Sequence, residues 1–174
     1  MREVSLAILD AAENSVSANA KLIKIEVSVF EDGISFSVSD DGVGMSEEEL
    51  KSATQKGVSF NGSTGLGLAL IKEDAESLGG SLKIISNNNC GTEVFADYPS
   101  KVAVLGDLGA TFVALTDDGF DVVLTVKHCG TLKRYDTREL KSSSCTADLQ
   151  SLGALRLIRE EINQNIRQME EQTL

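Results

Sequence analysis

The sequence predicts a mixed α and β protein in which helices alternate with pairs of strands. Apolar residues from Val4 to about Ala18 recur with the spacing of an amphipathic helix. Apolar and polar residues alternate in "LIKIEVSVF" and again in "ISFSVSD", as they do in strands that bury one face. After two further helical segments, "SLKIIS" and "TEVFADYP" predict another pair of strands, which ends at Pro99, the only proline.

Turn and cap residues mark the borders between these elements. Asp32-Gly33 is a hairpin turn signal between the first two strands. Ser46 followed by three glutamates predicts the N-cap and acidic first turn of a short helix. Residues 54–65 are polar and rich in glycine, which predicts a loop. The helix predicted for Leu66 to Leu78 ends at Gly79-Gly80, a C-cap signal.

After Pro99 the pattern restarts as helix, hairpin and helix. The first helix is predicted from the spacing of Leu105, Leu108, Phe112 and Leu115. "DVVLTV" and "TLKRY" are candidates for a hairpin around Cys129-Gly130. The last helix is predicted from one apolar stripe, Leu155, Ile158, Ile162 and Ile166. Residues 100–174 form a unit too small for a large core of its own, so we predict an αββα extension that packs on a first domain, residues 1–99.

The charge and the cysteines exclude several classes of function. Lys and Arg number 16 and Asp and Glu number 27, which gives a net charge of −11. Because such a chain repels phosphate backbones, we expect no nucleic-acid partner. No apolar run approaches the ~20 residues that span a bilayer and no leader opens the chain, so we expect no membrane partner. The cysteines Cys90, Cys129 and Cys145 form no CxxC pair, which predicts reduced thiols and a cytoplasmic location.

Two glycine clusters lie at borders between strands and helices. Asp40-Asp41-Gly42-Val43-Gly44-Met45 follows a strand, and Ser63-Thr64-Gly65-Leu66-Gly67-Leu68 precedes a helix. Glycine near a helix N-terminus lets a phosphate approach exposed N–H groups, and an aspartate at a strand end can accept a hydrogen bond from an exocyclic amine. Neither cluster matches the P-loop or the dinucleotide fingerprint, and each taken singly is more often only a turn.

The stretch "LDAAENSVSANA" in the first helix has one polar side. With helical spacing, that side carries Asp10, Glu13, Asn14 and Ser17, and the opposite side carries Ile8, Ala11, Ala12 and Ser15. Taken alone, a polar side of this kind most often faces water.

Taken together and in this order, the motifs resemble the four boxes of the GHKL ATPase superfamily. The boxes correspond to Asn14, Asp40-x-Gly42-x-Gly44, Gly65-Leu66-Gly67-Leu68 and Gly91-Thr92. The superfamily contains gyrase B, heat-shock chaperone ATPases, sensor histidine kinases and MutL, and "ENSVSANAKLIKIEV" is similar to the first box of MutL-type ATPases. The resemblance covers residues 1 to about 99. Through "GDLGATFVAL" and "YDTREL", the whole chain also resembles ATP-binding proteins encoded near iron-only hydrogenases in anaerobic bacteria.

The resemblance implies a two-layer α/β sandwich of the Bergerat type, with ATP on the helical layer. The amide of Asn14 is then expected to bind Mg²⁺ that bridges the phosphates. Asp40 is expected to accept from the adenine amino group, Gly42 and Gly44 to admit the base, and Met45 to pack on it. On the polar side of the first helix, Asn14 is therefore expected to face the nucleotide and not bulk water. Glu13 is still expected to face water.

The same resemblance assigns the phosphate end of the site. Gly65 and Gly67 are expected to cradle the phosphates, together with the amides of Leu66 and Leu68. Thr92 is expected to support Asp40 and a water near the adenine, and a short lid is expected from about Thr54 to Thr64.

Asp10 is the candidate general base for ATP hydrolysis. GHKL ATPases carry a glutamate four residues before the asparagine, and this chain has the shorter aspartate there. The resemblance therefore implies slow, magnesium-dependent hydrolysis. We expect no autophosphorylation, since no helical hairpin with an acceptor histidine precedes the first box and the only histidine, His128, lies in a predicted strand.

Three classes of function remain open on the sequence. The first is a regulatory nucleotide-binding module, a weak ATPase that either reports ATP or acts on an unidentified protein partner. The second is a protein kinase that acts in trans on a Ser or His of a partner. The third is a degenerate scaffold that binds no nucleotide, which is disfavoured because the residues of the boxes are intact. The sequence leaves both a monomer and an oligomer open.

Overall fold

The computed structural model describes residues 3–55, 67–117, 119–142 and 151–171. Within these ranges the helices and strands follow one another in the order α1 Val4–Ser17, β1 Leu22–Phe30, β2 Gly33–Asp40, α2 Glu47–Ser52, α3 Gly67–Ser77, β3 Ser81–Ser86, β4 Thr92–Tyr98, α4 Leu108–Ala114, β5 Asp121–His128, β6 Thr131–Asp136, α5 Thr137–Ser142 and α6 Leu152–Glu171. None of the described helices combines the length and the hydropathy needed to cross a bilayer.

The six strands form one mixed sheet in the order β3-β4-β2-β1-β5-β6. All neighbouring strands are antiparallel except β1 and β5, which are parallel. Helices α1, α3 and α4 pack together, and their apolar side chains share one core with the sheet. The predicted α/β fold with a mixed sheet and a helical layer is therefore confirmed.

The alternating pattern of β1 decides which face of the sheet is covered. Ile25 and Val27 are buried in the core, whereas Lys24 and Glu26, which alternate with them, are exposed. On the other side of the core, α1 buries the residues of its less polar side, Ile8, Ala11, Ala12 and Ser15. The polar side of α1 is thus directed away from the sheet, and its exposure varies along the helix.

The residues after Pro99 continue the same sheet. Strand β5 pairs with β1 in parallel, with Ile25 opposite Leu124, so the chain itself covers the edge that β1 would otherwise expose. Helix α4 packs on α1 and α6 packs mainly on α4, with Phe112 and Ile162 fully buried. The extension therefore contacts both the sheet and the helical layer, and a domain border at residue 99 stays a prediction.

Two local features differ from the sequence patterns. The first hairpin turns at Glu31-Asp32, because Gly33 already pairs with Phe30 at the start of β2. Helix α5 was not expected, and it follows Asp136, a buried residue whose carboxylate accepts hydrogen bonds from the side chain and the backbone N–H of Arg138. The guanidinium of Arg138 lowers the pKa of this carboxyl to about 2. The spacing of apolar residues does not predict α5, because it carries no information on the hydrogen bonds between Asp136 and Arg138.

Candidate functional site

The carboxylate of Asp40 joins three elements at the end of β2. The hydroxyl of Ser15 on α1 donates to Oδ2 at 2.7 Å. The backbone N–H of Gly42 donates to Oδ1 at 2.8 Å, and that of Thr92 at the start of β4 donates to the same oxygen at 3.2 Å. A carboxylate has about four acceptor positions, so these described donors leave room for one more. The side chain is partly exposed, and a ligand amine can supply that donor.

A second hydroxyl, that of Ser86, fixes the loop after β2 against the turn between β3 and β4. Ser86 is buried, and its Oγ accepts from the backbone N–H of Met45 at 2.8 Å. The same Oγ lies 3.0 Å from the carbonyl oxygen of Gly91 and 2.9 Å from Oγ1 of Thr92. Met45 and Thr92, both predicted at the adenine end, are therefore held by one side chain.

Two glycines let these loops approach each other. Gly44 has φ +67° and Gly91 has φ +78°, values that L side chains rarely adopt. A Cβ atom on Gly91 would overlap the carbonyl oxygen of Asp40, and one on Gly44 would overlap that of Asn87. Gly44 is thus required by the packing of the loops, in addition to any room that it provides for a base.

The predicted phosphate end lies where α1 meets the start of α3. Asp10 and Asn14 lie one turn apart on α1, about 6 Å along the helix axis. A Cβ atom on Gly67, the first residue of α3, would lie 3.3 Å from Cβ and 3.8 Å from Oδ2 of Asp10. The structure therefore brings Asp10 beside the first described turn of α3, and the N–H groups at a helix N-terminus favour an anion. Leu68 follows in that turn.

Part of the predicted phosphate end lies outside the described residues. This holds for Gly65, Leu66 and the predicted lid from residue 56 onward.

The residues at this end fit a magnesium ion that enters with a nucleotide. The described part of the chain contains no group of three or more His, Cys, Asp or Glu side chains that would form a metal site by itself. Mg²⁺ is usually held by one or two protein oxygens, water and substrate phosphates. The amide oxygen of Asn14, next to Ser15 and one turn from Asp10, is a suitable protein ligand of that kind.

The neighbouring carboxylate, Asp41, has a different role from Asp40. Its Oδ1 accepts from the backbone N–H groups of Lys21 at 2.7 Å and Leu22 at 2.9 Å. The hydrogen bond from Leu22, with that from Lys21, holds the pKa of Asp41 below its usual value, against the effect of desolvation. Asp41 therefore fastens the loop to the start of β1, whereas Asp40 accepts from α1 and from the start of β4.

Sequence reasoning missed Ser15 and Ser86 as site residues. Ser15 lies on the less polar side of α1 and is only 3% exposed. A hydroxyl on a buried helix face requires a partner, and this was the signal that could have identified it. The partner itself, Asp40, lies 25 residues away, so that local patterns do not indicate it.

Residues 2–102 match the model of the family described as Histidine kinase-, DNA gyrase B-, and HSP90-like ATPase. The chain belongs to this family. Membership supports ATP binding at the level of the family. The assignment of its boxes to Asn14, Asp40-x-Gly42-x-Gly44 and Gly91-Thr92 stays a prediction.

Known relatives agree with this assignment over parts of their length. The sensor histidine kinases DcuS of Escherichia coli (strain K12) and Shigella flexneri are each 41% identical over 63 residues. The match covers 36% of this chain and 12% of each relative, so the GHKL chain spans only a small part of these proteins. A crystal structure of the N-terminal domain of a DNA repair protein has the same fold, with a TM-score of 0.58 at 13% identity, over 78% of this chain and 52% of that one.

The hydrogen bond from Ser15 predicts a first measurable effect. We expect Ser15→Ala to lower the affinity for MgATP about threefold to tenfold, because the Asp40 carboxylate loses one of the donors that orient it. Isothermal titration calorimetry measures the change. Ser17→Ala is the matched control, since the hydroxyl of Ser17 donates to the Glu13 carbonyl on the exposed side of the same helix. Equal affinities of Ser15→Ala and wild type would contradict the role of Ser15.

Proposed function

We propose that this GHKL chain binds MgATP between α1, the loop after β2 and the start of α3, and hydrolyses it slowly as a regulatory module. The observation that carries the proposal is the Asp40 carboxylate, which is oriented by Ser15, Gly42 and Thr92 with an acceptor position left for the adenine amine. Asp10 beside the N-terminus of α3 supports the placement of the phosphates.

The proposal also gives roles to the remaining residues. Met45 would pack on the base, because its backbone is anchored beside Thr92 through Ser86. Asn14 would bind Mg²⁺ together with phosphate oxygens. Gly67 and the amide of Leu68 would contact the phosphates, with Gly65 and Leu66 as their predicted neighbours.

Slow hydrolysis is expected from the length of the Asp10 side chain. A general base contributes about 10²–10⁴-fold and must reach the attacking water directly or through one further water. An aspartate has one methylene fewer than the glutamate of the related ATPases. Its carboxyl lies near Gly67 at the start of α3, which supports a role beside the phosphates, with a shorter reach than that of a glutamate.

Substitution of Asp10 tests the hydrolytic part of the proposal. We expect Asp10→Asn to lower the rate of ATP hydrolysis about 100-fold, because the amide cannot accept a proton. Its affinity for ATP should stay near wild type. Asp10→Glu should equal or exceed the wild-type rate, since it restores the longer reach. Phosphate release under single-turnover conditions and calorimetric titration separate the two effects.

Equal hydrolysis by Asp10→Asn and wild type would remove Asp10 as the base. ATP sensing, or phosphorylation of a protein partner in trans, would then be the better function. The similarity to proteins named sensor histidine kinases favours the kinase as the second candidate. Incubation with γ-labelled ATP, with and without cell lysate, distinguishes the two, because only a kinase transfers the label to a Ser or His of another protein.

A further inference from the structure

The first turn of α4 is fastened to α6 by a network of side-chain hydrogen bonds. The amide of Asn163 donates to Oδ1 of Asp107 at 2.7 Å, and its oxygen accepts from the backbone N–H of Gly109 at 3.0 Å. Arg159 donates to Oδ2 of Asp107 through Nε at 3.0 Å and Nη2 at 2.5 Å. Asp107 also caps α4 through the N–H of Ala110. This network fixes the direction of α4 relative to α6.

The opposite side of the same segment holds the first turn of α1. The buried hydroxyl of Thr111 on α4 donates to the carbonyl oxygen of Ser5 at 3.0 Å. The N–H groups of Val4 and Ser5 donate to the carbonyl oxygens of Val104 and Leu105 at 2.9 and 2.8 Å. Three hydrogen bonds therefore join the first turn of α1 to α4 and to the segment directly before it.

Helix α1 then carries this constraint to the nucleotide site. Asn14 and Ser15 lie nine and ten residues after Ser5, about 13–15 Å along the axis of one continuous helix. Asp40, the partner of Ser15, belongs to the sheet and not to the helical layer. A tilt of α1 at its first turn therefore changes the Ser15–Asp40 geometry, and hydrogen bonds weaken steeply with lost alignment.

We propose that Asp107 and Asn163 are positioning residues for the nucleotide site, which they reach through α4 and α1 without touching the ligand. This inference rests on the proposed binding of ATP at Asp40 and adds the extension after Pro99 to the control of that site. Helix α6 lies outside the part of the chain that the family model matches. Through the same coupling, a change at α6 would alter the affinity for the nucleotide.

The variant Asn163→Leu tests the proposal, because leucine has a similar size and makes neither hydrogen bond. We expect the Kd for MgATP to rise about threefold to tenfold at a temperature where both proteins are fully folded. Arg156→Ala is the matched control: it removes an ion pair with Glu160 on the exposed side of the same helix, and its Kd should equal that of wild type. Asp107→Asn, which keeps an oxygen for the Ala110 amide, should change the Kd in the same direction if Asn163→Leu does not fold.

Amide hydrogen exchange distinguishes this coupling from a purely structural role of Asn163. Because coupling between two sites is reciprocal, MgATP should slow amide exchange in α6 of wild type. In Asn163→Leu, saturating MgATP should still protect α1 and β2 but should no longer protect α6. A lower melting temperature with an unchanged Kd would overturn the inference and leave ATP binding intact. Absence of ATP binding by wild type would overturn the proposed function, and this inference with it.

Discussion

Replacement of Asp40 by Asn is expected to lower the affinity for ATP at least about tenfold. In wild type the carboxylate accepts from Ser15, Gly42 and Thr92. An asparagine has one oxygen, so its NH₂ group must face either one of these donors or the adenine amine. A buried hydrogen bond that is not made costs about 1–3 kcal/mol, which is roughly tenfold or more in affinity.

The effect of Asp40→Asn can also be measured as a change in the preference for ATP over GTP. The adenine amine is a donor that suits a carboxylate, whereas guanine presents a carbonyl acceptor at the corresponding position. Wild type should therefore bind ATP more tightly than GTP, and Asp40→Asn should lose most of this preference. Competition of ATP and GTP against a fluorescent ATP analogue measures both affinities in one experiment.

The matched control for this substitution is Asp41→Asn. It changes the adjacent carboxylate, which accepts from the backbone of Lys21 and Leu22. We expect Asp41→Asn to reduce stability and to leave the affinity for ATP near wild type. Equal binding of ATP by Asp40→Asn and wild type would refute the assignment of the adenine pocket.

A chain shortened to end at Pro99 is expected to lose cooperative folding. Five of the largest fully buried side chains lie after that point, namely Leu108, Phe112, Val122, Leu124 and Ile162. Burial of each contributes about 1.5–3 kcal/mol, so their combined loss is comparable with the entire stability of a typical domain, about 5–15 kcal/mol. The loss of β5 also exposes the backbone edge of β1.

Urea unfolding followed by circular dichroism and by dye binding tests this expectation. The shortened chain should show no cooperative transition and should bind a dye for exposed apolar surface. A chain that ends at Glu171 keeps all of α6 and should unfold like wild type. If the chain that ends at Pro99 melts cooperatively at the wild-type temperature and binds ATP, residues 100–174 are an independent module.

The sequence alone predicted those elements that depend on near neighbours. The spacing of apolar residues predicted α1, and strict alternation predicted β1 and β2. The N-cap at Ser46 was also predicted. In the structure Ser46 and Glu49, three residues apart, satisfy each other's backbone N–H groups in a capping box. The boxes around Asn14 and Asp40 pointed to the family, because each is a short run of residues that can be recognised without knowing which distant residues it contacts.

The tertiary structure decided which distant elements meet. Alternation in β5 does not specify β1 as its parallel partner, since every strand with one buried face has the same period of two. Ser15 became part of the site only through Asp40 on β2, and the short helix α5 follows an Asp136 carboxylate bound by Arg134 and Arg138. Periodicity, caps and turns are local preferences of the backbone. Strand partners and buried hydrogen bonds are chosen by the free energy of packing the whole chain, and a local pattern cannot report them.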